Sequence, residues 1–114
     1  MAALLGDDTF FQKKSIIGMV HVQALPGTPA NKYSISEIIR IAVEEAMLLE
    51  KAGFDMIAIE NMHDTPYLRR TVGPEIVASM TAVCAAVRAA IHIPFGLFLF
   101  LSSHLTYCLS FLCF

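Results

Sequence analysis

Apolar and polar positions along the chain fall into two alternating patterns. Residues 15–22 (SIIGMVHV) form a short, β-branched run that is apolar at odd and even positions alike. Such a run reads as a strand of a parallel sheet covered on both faces. Residues 24–30 (ALPGTPA) are rich in Pro and Gly and read as loop. From Ser34 the period changes. Ile35, Ile38, Ile39, Ala42, Ala46 and Leu49 recur at helical spacing, with Glu44, Glu45, Glu50 and Lys51 on the wet side. Ser34 and Glu37 have the spacing of a capping box, which satisfies the first orphan amides of a helix. Gly53 stands where a left-handed residue ends one. The pattern predicts a helix over residues 34–52.

The alternation then repeats. Residues 54–60 (FDMIAIE) predict a second strand, followed by a polar stretch over residues 61–72. Gly73-Pro74-Glu75 opens a second helix, with Pro at the first helical position and an acid in the first turn. Ile76, Val77, Met80, Val83, Cys84, Val87 and Ile91 make its apolar face, giving a helix over residues 74–91. A third strand is predicted over residues 93–99, with Pro94 tolerable at its start. The repeat is 39 to 40 residues, from Gly18 through Ile57 to Leu97. Strands alternating with helices imply parallel pairing through right-handed crossovers. The helix-to-strand joints read as one to three residues, whereas the strand-to-helix loops run to a dozen and carry most of the His, Asn, Asp and Arg. Function sits on such loops, at the C-terminal ends of the strands. No G-x-G-x-x-G follows either strand, so the pattern fits an α/β barrel better than a dinucleotide-binding sheet.

Composition narrows the picture. The chain has 114 residues, 56% hydrophobic and only 16% charged, against about 25% charged in an average domain. That length holds one small domain at most, and a chain so apolar is not disordered. A net charge of −2 with no basic stripe gives no reason to expect nucleic acid. Cys84, Cys108 and Cys113 are odd in number and lack metal spacing, which fits a reducing compartment. Residues 1–14 have neither a basic start nor an Arg-rich face and read as a short tail rather than a targeting signal. Residues 95–114 are different, because those twenty residues hold no formal charge. They are long enough to span a bilayer, yet Ser102, Ser103, His104, Thr106 and Ser110 interrupt them and no Lys or Arg flanks them.

The chemistry-bearing residues gather at the strand ends. The first strand closes on His21 and Gln23, the second on Glu60 and Asn61, and His63 and Asp64 follow at once. In a parallel sheet these groups emerge on one rim. A carboxylate closing an apolar strand is costly without a partner. Glu60 is therefore either a structural acid paired with a Lys or Arg from the next strand, or a ligand-binding or acid/base group. His21, Glu60, His63 and Asp64 also form a set of N and O donors of the kind that holds a divalent metal, though spacing does not separate this from a loop cap. Metal and cofactor stay unassigned. Arg69 and Arg70 precede the helix start at Gly73 and suit a phosphate or carboxylate, or else form a solvated pair. Lys32 and Tyr33 end the first long loop and carry no distinguishing signal. Cys84 and the methionines read as core filler.

Three stretches carry a resemblance. IIGMVHVQALPGTP, the segment with Ala42, Glu45 and Ala46 that runs into LEKAGFDMIAIENMHDTPY, and VGPEIVASMTAV are similar to the BtpA family, over residues 15–97. The resemblance implies a (β/α)₈ barrel of the ribulose-phosphate-binding type with a small-molecule site on its rim. The family's namesake is linked to accumulation of photosystem I reaction-centre proteins, and no settled reaction comes with the resemblance. His21, Glu60, Asn61 and Asp64 lie inside its motifs. The chain departs from the family at Phe98, where a polar Gln or Asn is expected, and no helical pattern follows. A complete barrel takes about 250 residues.

The expectations are therefore a partial (β/α)₈ barrel over residues 15–99, an N-terminal tail over 1–14 and a divergent apolar tail over 100–114. Glu60, His21 and Asp64 are the catalytic candidates, and Asn61, His63, Arg69 and Arg70 the ligand-binding ones, for a small phosphorylated or anionic ligand. A truncated product without activity of its own is expected, set against a non-catalytic assembly factor or a tail-anchored membrane protein. The location expected is cytoplasmic, with membrane association through residues 95–114 or a mitochondrial site as alternatives, and the oligomeric state is open. Unpaired sheet edges lead to the expectation that the chain by itself is aggregated, membrane-associated or degraded.

Overall fold

A computed structural model describes residues 14–61 and 74–98. Strands and helices alternate as β1 (Ile17–His21), α1 (Ile35–Lys51), β2 (Met56–Glu60), α2 (Pro74–Ala90) and β3 (Phe95–Phe98). The strands form one parallel sheet in the order β1-β2-β3. Each helix thus links two neighbouring parallel strands, the arrangement of a partial βα barrel.

The ends of α1 follow from its sequence. Ser34 Oγ accepts from the Glu37 amide at 3.3 Å, and Glu37 Oε2 accepts from the Ser34 amide at 2.9 Å, completing the capping box. At the other end Gly53 has φ +93°. Its amide donates to the Glu50 carbonyl and that of Phe54 to the Leu49 carbonyl, a Schellman ending that turns the chain into β2.

In the register, Gly18 stands beside Ile57 and Ile57 beside Phe95, while Val20, Ile59 and Leu97 form the next row. The sequence repeat set Leu97 opposite Ile57; the sheet moves it two residues along. A two-residue shift keeps a side chain on the same face, so the apolar pattern could not distinguish the two registers. The helix-to-strand joints are also longer than expected, at residues 52–55 and 91–94. Both joints bond to the strands before the ladder starts. The amides of Asp55 and Ile16 donate to the Ile16 carbonyl and the Asp55 carboxylate respectively, and Ile57 N–H donates to the Pro94 carbonyl.

Both helices pack on one face of the sheet. Val20, Val22, Ile57, Ile59 and Phe95 meet Ile38, Ala42 and Ala46 of α1 and Ile76, Met80, Val83 and Val87 of α2 in a single core. Fully burying each large aliphatic or aromatic side chain contributes about 1.5–3 kcal/mol. Two expectations are corrected here. β1 is not covered on both faces: Ile17 and Met19 are 51% and 42% exposed, and only the alternate positions are packed. Val77 does not belong to the buried face of α2, being 48% exposed. Positions 76, 80, 83 and 87 align on one stripe, and Val77 lies about 100° round the helix from Ile76.

Glu50 is a further correction. Rather than facing water, its carboxylate accepts the amides of His92 at 2.6 Å and Ile93 at 3.1 Å. It thereby ties the end of α1 to the joint that leads into β3. Among the described residues no helix is long and apolar enough to cross a membrane. The first four residues of the uncharged 95–114 stretch are β3; residues 99–114 lie outside the described part.

Candidate functional site

Side chains of adjacent parallel strands stand side by side on a common face. His21 and Glu60 are register partners at the C-terminal ends of β1 and β2. The next amide along, that of Val22, donates to the Glu60 carbonyl at 2.8 Å and carries the ladder one bond further. Because Val20, Val22 and Ile59 face the helices, His21 and Glu60 lie on the opposite face, in the row of Met19 and Ala58. There His21 Nε2 stands 3.4 Å from Glu60 Oε2. The Glu60 side chain is 14% exposed and that of His21 41%. The carboxylate is thus largely withdrawn from water while the imidazole edge remains open.

The pairing answers one question that the sequence left open. β3 sets Phe98 beside Glu60 and contains neither Lys nor Arg, so no cation reaches Glu60 from the next strand. An imidazole held against a carboxylate has its ring oriented by that contact and can take or give a proton at its other nitrogen. Asn61 follows directly and is 1% exposed. Among the described residues, no buried side-chain nitrogen or oxygen lacks a hydrogen-bond partner.

The loop after β1 is built from inside rather than left to solvent. Ala24 and Leu25 are buried. Asn31 Nδ2 donates to the Ala24 carbonyl at 2.8 Å and the Tyr33 carbonyl at 2.9 Å, while Thr28 Oγ1 donates to the Leu25 carbonyl at 2.7 Å. The tip at Gly27 lies against the Glu75 side chain in the first turn of α2. Sequence reasoning missed Asn31. An amide side chain within a Pro/Gly loop, able to bond its own backbone neighbours, is the signal that would have found it. Lys32 and Tyr33 are exposed.

Of the predicted site residues, the structure brings His21, Glu60 and Asn61 to one end of the sheet. His63, Asp64, Arg69 and Arg70 lie outside the described residues, and with them half of the four-donor set considered for a metal. Among the described residues no three His, Cys, Asp or Glu side chains converge. Cys84 sits in the core with its thiol pushed up to about 11 by burial, as expected of a small hydrophobe. Beside the rim, an open groove of roughly 590 Å³ runs between β1 and α1, lined by Met19, His21 and Gln23 on one side and Glu45 and Leu48 on the other.

Comparison with known proteins places this geometry among relatives. A family model described as the BtpA family matches residues 12–110. An uncharacterized protein of Pyrococcus furiosus is 38% identical over 90 residues, covering 79% of this chain and 34% of the relative. One of Methanocaldococcus jannaschii is 37% identical over 87 residues, 76% of this chain and 33% of that protein. An uncharacterized protein of Caenorhabditis elegans, whose name adds "mitochondrial", is 48% identical over 65 residues, 57% of this chain and 24% of its own length. The chain thus spans between 24% and 34% of the length of these three relatives. No solved structure matches it.

Proposed function

This chain belongs to the BtpA family, and we propose that it forms part of a ribulose-phosphate-binding type (β/α)₈ barrel whose C-terminal rim takes a small phosphorylated ligand. The observation that carries this reading is the His21–Glu60 pair, 3.4 Å apart at the C-terminal ends of two parallel strands. In barrels of parallel strands the rim at those ends is where chemistry is done. Glu60 accepts a ligand hydroxyl or moves a proton, with His21 as its partner and Asp64 as the third candidate. Asn61, His63, Arg69 and Arg70 complete the ligand contacts, the two guanidiniums taking the anionic group. The matched residues span about a third of the Pyrococcus relative and supply part of such a rim.

The test uses the full-length Pyrococcus furiosus relative, with inorganic phosphate and ribulose 5-phosphate as calorimetric probes. The pentose phosphate should bind more tightly than phosphate. Replacing the residue aligned with Glu60 by Gln should weaken the pentose phosphate by about tenfold or more, the value of one charged hydrogen bond, and leave phosphate and the melting temperature unchanged. If neither probe binds, or if the Gln variant binds both as before, the reading is wrong.

A further inference from the structure

We propose that His21, not Glu60, is the group that meets the ligand on this rim, and that it meets a hydroxyl while Glu60 acts only through it. This rests on the ligand site proposed above: Glu60 there moves a proton by way of the imidazole rather than at its own oxygen. The two side chains differ in access. That of Glu60 is 14% exposed and that of His21 41%, so a molecule arriving at the rim reaches the ring before the carboxylate. The ring is also fixed in sense. A carboxylate only accepts hydrogen bonds, so the proton between Nε2 and Oε2, which stand 3.4 Å apart, belongs to Nε2. A catalytic hydrogen bond is often this long until substrate is seated. Nδ1 is then the nitrogen at which a proton is taken up or given back. When a ligand hydroxyl gives its proton to Nδ1, the electron pair stays on the ligand oxygen. The Glu60 carboxylate beside Nε2 offsets the charge that the ring gains. Glu60 is thus a positioning residue.

The surroundings of the ring select which end of the ligand it meets. The row of His21 continues to Gln23, because the Val22 amide still bonds to the Glu60 carbonyl and alternate residues of a strand share a face. His21 and Gln23 line one groove, with Glu45 of α1 on its other wall. The Gln23 amide both donates and accepts, which suits a hydroxyl. Among the described residues no Lys or Arg lines that groove. Two carboxylates share the ring's surroundings instead, Glu60 at 3.4 Å and Glu45 on the facing wall. A phosphate placed there would meet like charges and no matching cation, and such juxtaposition rejects a ligand. The hydroxyl end of a phosphorylated sugar or polyol therefore faces His21, and its phosphate lies away from the pair.

Calorimetry on the full-length Pyrococcus furiosus relative, with substitutions at the positions aligned with His21 and Glu60, tests the proposal. The probes are ribulose 5-phosphate and ribulose 1,5-bisphosphate. The monophosphate should bind about tenfold or more tightly than the bisphosphate, whose second phosphate takes the hydroxyl end. That comparison needs no variant, so it stands even where a substitution unfolds the protein. His21→Ala should weaken the monophosphate by about tenfold or more. Glu60→Gln should weaken it in the parent and have no further effect beside His21→Ala. His21→Asn, whose amide reaches the place of Nδ1, should keep part of the affinity, and His21→Gln, which reaches that of Nε2, should not. A bisphosphate that binds as tightly as the monophosphate overturns the proposal. So does a Glu60→Gln loss that persists beside His21→Ala, or a His21→Gln variant that binds better than His21→Asn. In each of these cases the monophosphate still binds and the ligand site itself stands. If neither sugar binds, the ligand site fails and the proposal with it.

Discussion

His21 Nε2 and Glu60 Oε2 stand 3.4 Å apart across neighbouring parallel strands, on the face of the sheet away from both helices. The imidazole is 41% exposed, and a pair this open stabilises a fold by about 0–1 kcal/mol. A double-mutant cycle of His21→Ala and Glu60→Gln, read by chemical denaturation, should give a coupling energy inside that range. A coupling of several kcal/mol would make the pair a structural one and remove the reason for assigning it to a site.

The Glu50 carboxylate is held below the ordinary carboxylate range, chiefly by the His92 amide, with the Ile93 amide and the His92 ring adding to it. A folded value below the unfolded one gives stability that is present above the unfolded value and lost as pH falls through the folded one. Glu37 is lowered for the same kind of reason, by the Ser34 amide and hydroxyl. Acid unfolding should therefore begin as pH drops through the carboxylate range. In Glu50→Gln the loss between neutral and acid pH should be shallower, with lower stability at neutral pH. An unchanged pH profile would show that the clasp does not operate in solution.

Ile59 is fully buried in the row that faces the helices, whereas Val77 is 48% exposed. Truncating a buried Ile to Ala costs about 2–5 kcal/mol, which is a large part of the 5–15 kcal/mol that holds an ordinary domain together. Ile59→Ala should lose most of its helical dichroism at room temperature. Val77→Ala should stay within about 0.5 kcal/mol of the parent. Equal effects at the two positions would contradict the face assignment of α2.

Gly18 of β1 lies under the side chains of Leu49 in α1 and Phe54 in the joint that follows it. A methyl group added there would sit 3.0 Å from Leu49 Cδ1 and 3.0 Å from Phe54 Cδ1. Overpacking of this kind costs about 1–3 kcal/mol, moderated because both atoms are ends of side chains. Gly18→Ala should destabilise by that amount, and adding Leu49→Ala should recover part of the loss, a coupling characteristic of residues in contact. Strictly additive effects would argue against the close approach.

Cys84 offers a chemical check on the core. Its thiol is pushed up to about 11 by burial, and the thiolate is the reactive form. Mapping of alkylated peptides at neutral pH should find Cys84 unmodified in the folded chain and modified in denaturant. Labelling at equal rates in both would mean that α2 does not dock as described.

The sequence alone determined the elements and the ends of the two helices. Helical spacing from Ile35 to Leu49, the Ser34–Glu37 box, Gly53, and Pro74 with Glu75 are local signals, because caps and periodicity are written within a few residues of each other. The parallel order was also legible, since alternating strands and helices leave few other topologies. The place of His21, Glu60 and Asn61 at one end of the sheet was legible because polar groups ending apolar strands stand out in any parallel sheet. What the sequence could not supply depends on distant neighbours. Two registers for β3 satisfy the same alternation, and only the ladder from Pro94 and Phe95 to Ile57 selects between them. Glu50 has the composition of a surface residue until the joint at His92 and Ile93 comes within reach of its carboxylate. Ile17 and Met19 read as buried because their run is apolar throughout, yet their exposure is set by which strands lie beside β1, a property of the assembled sheet and not of the five residues themselves.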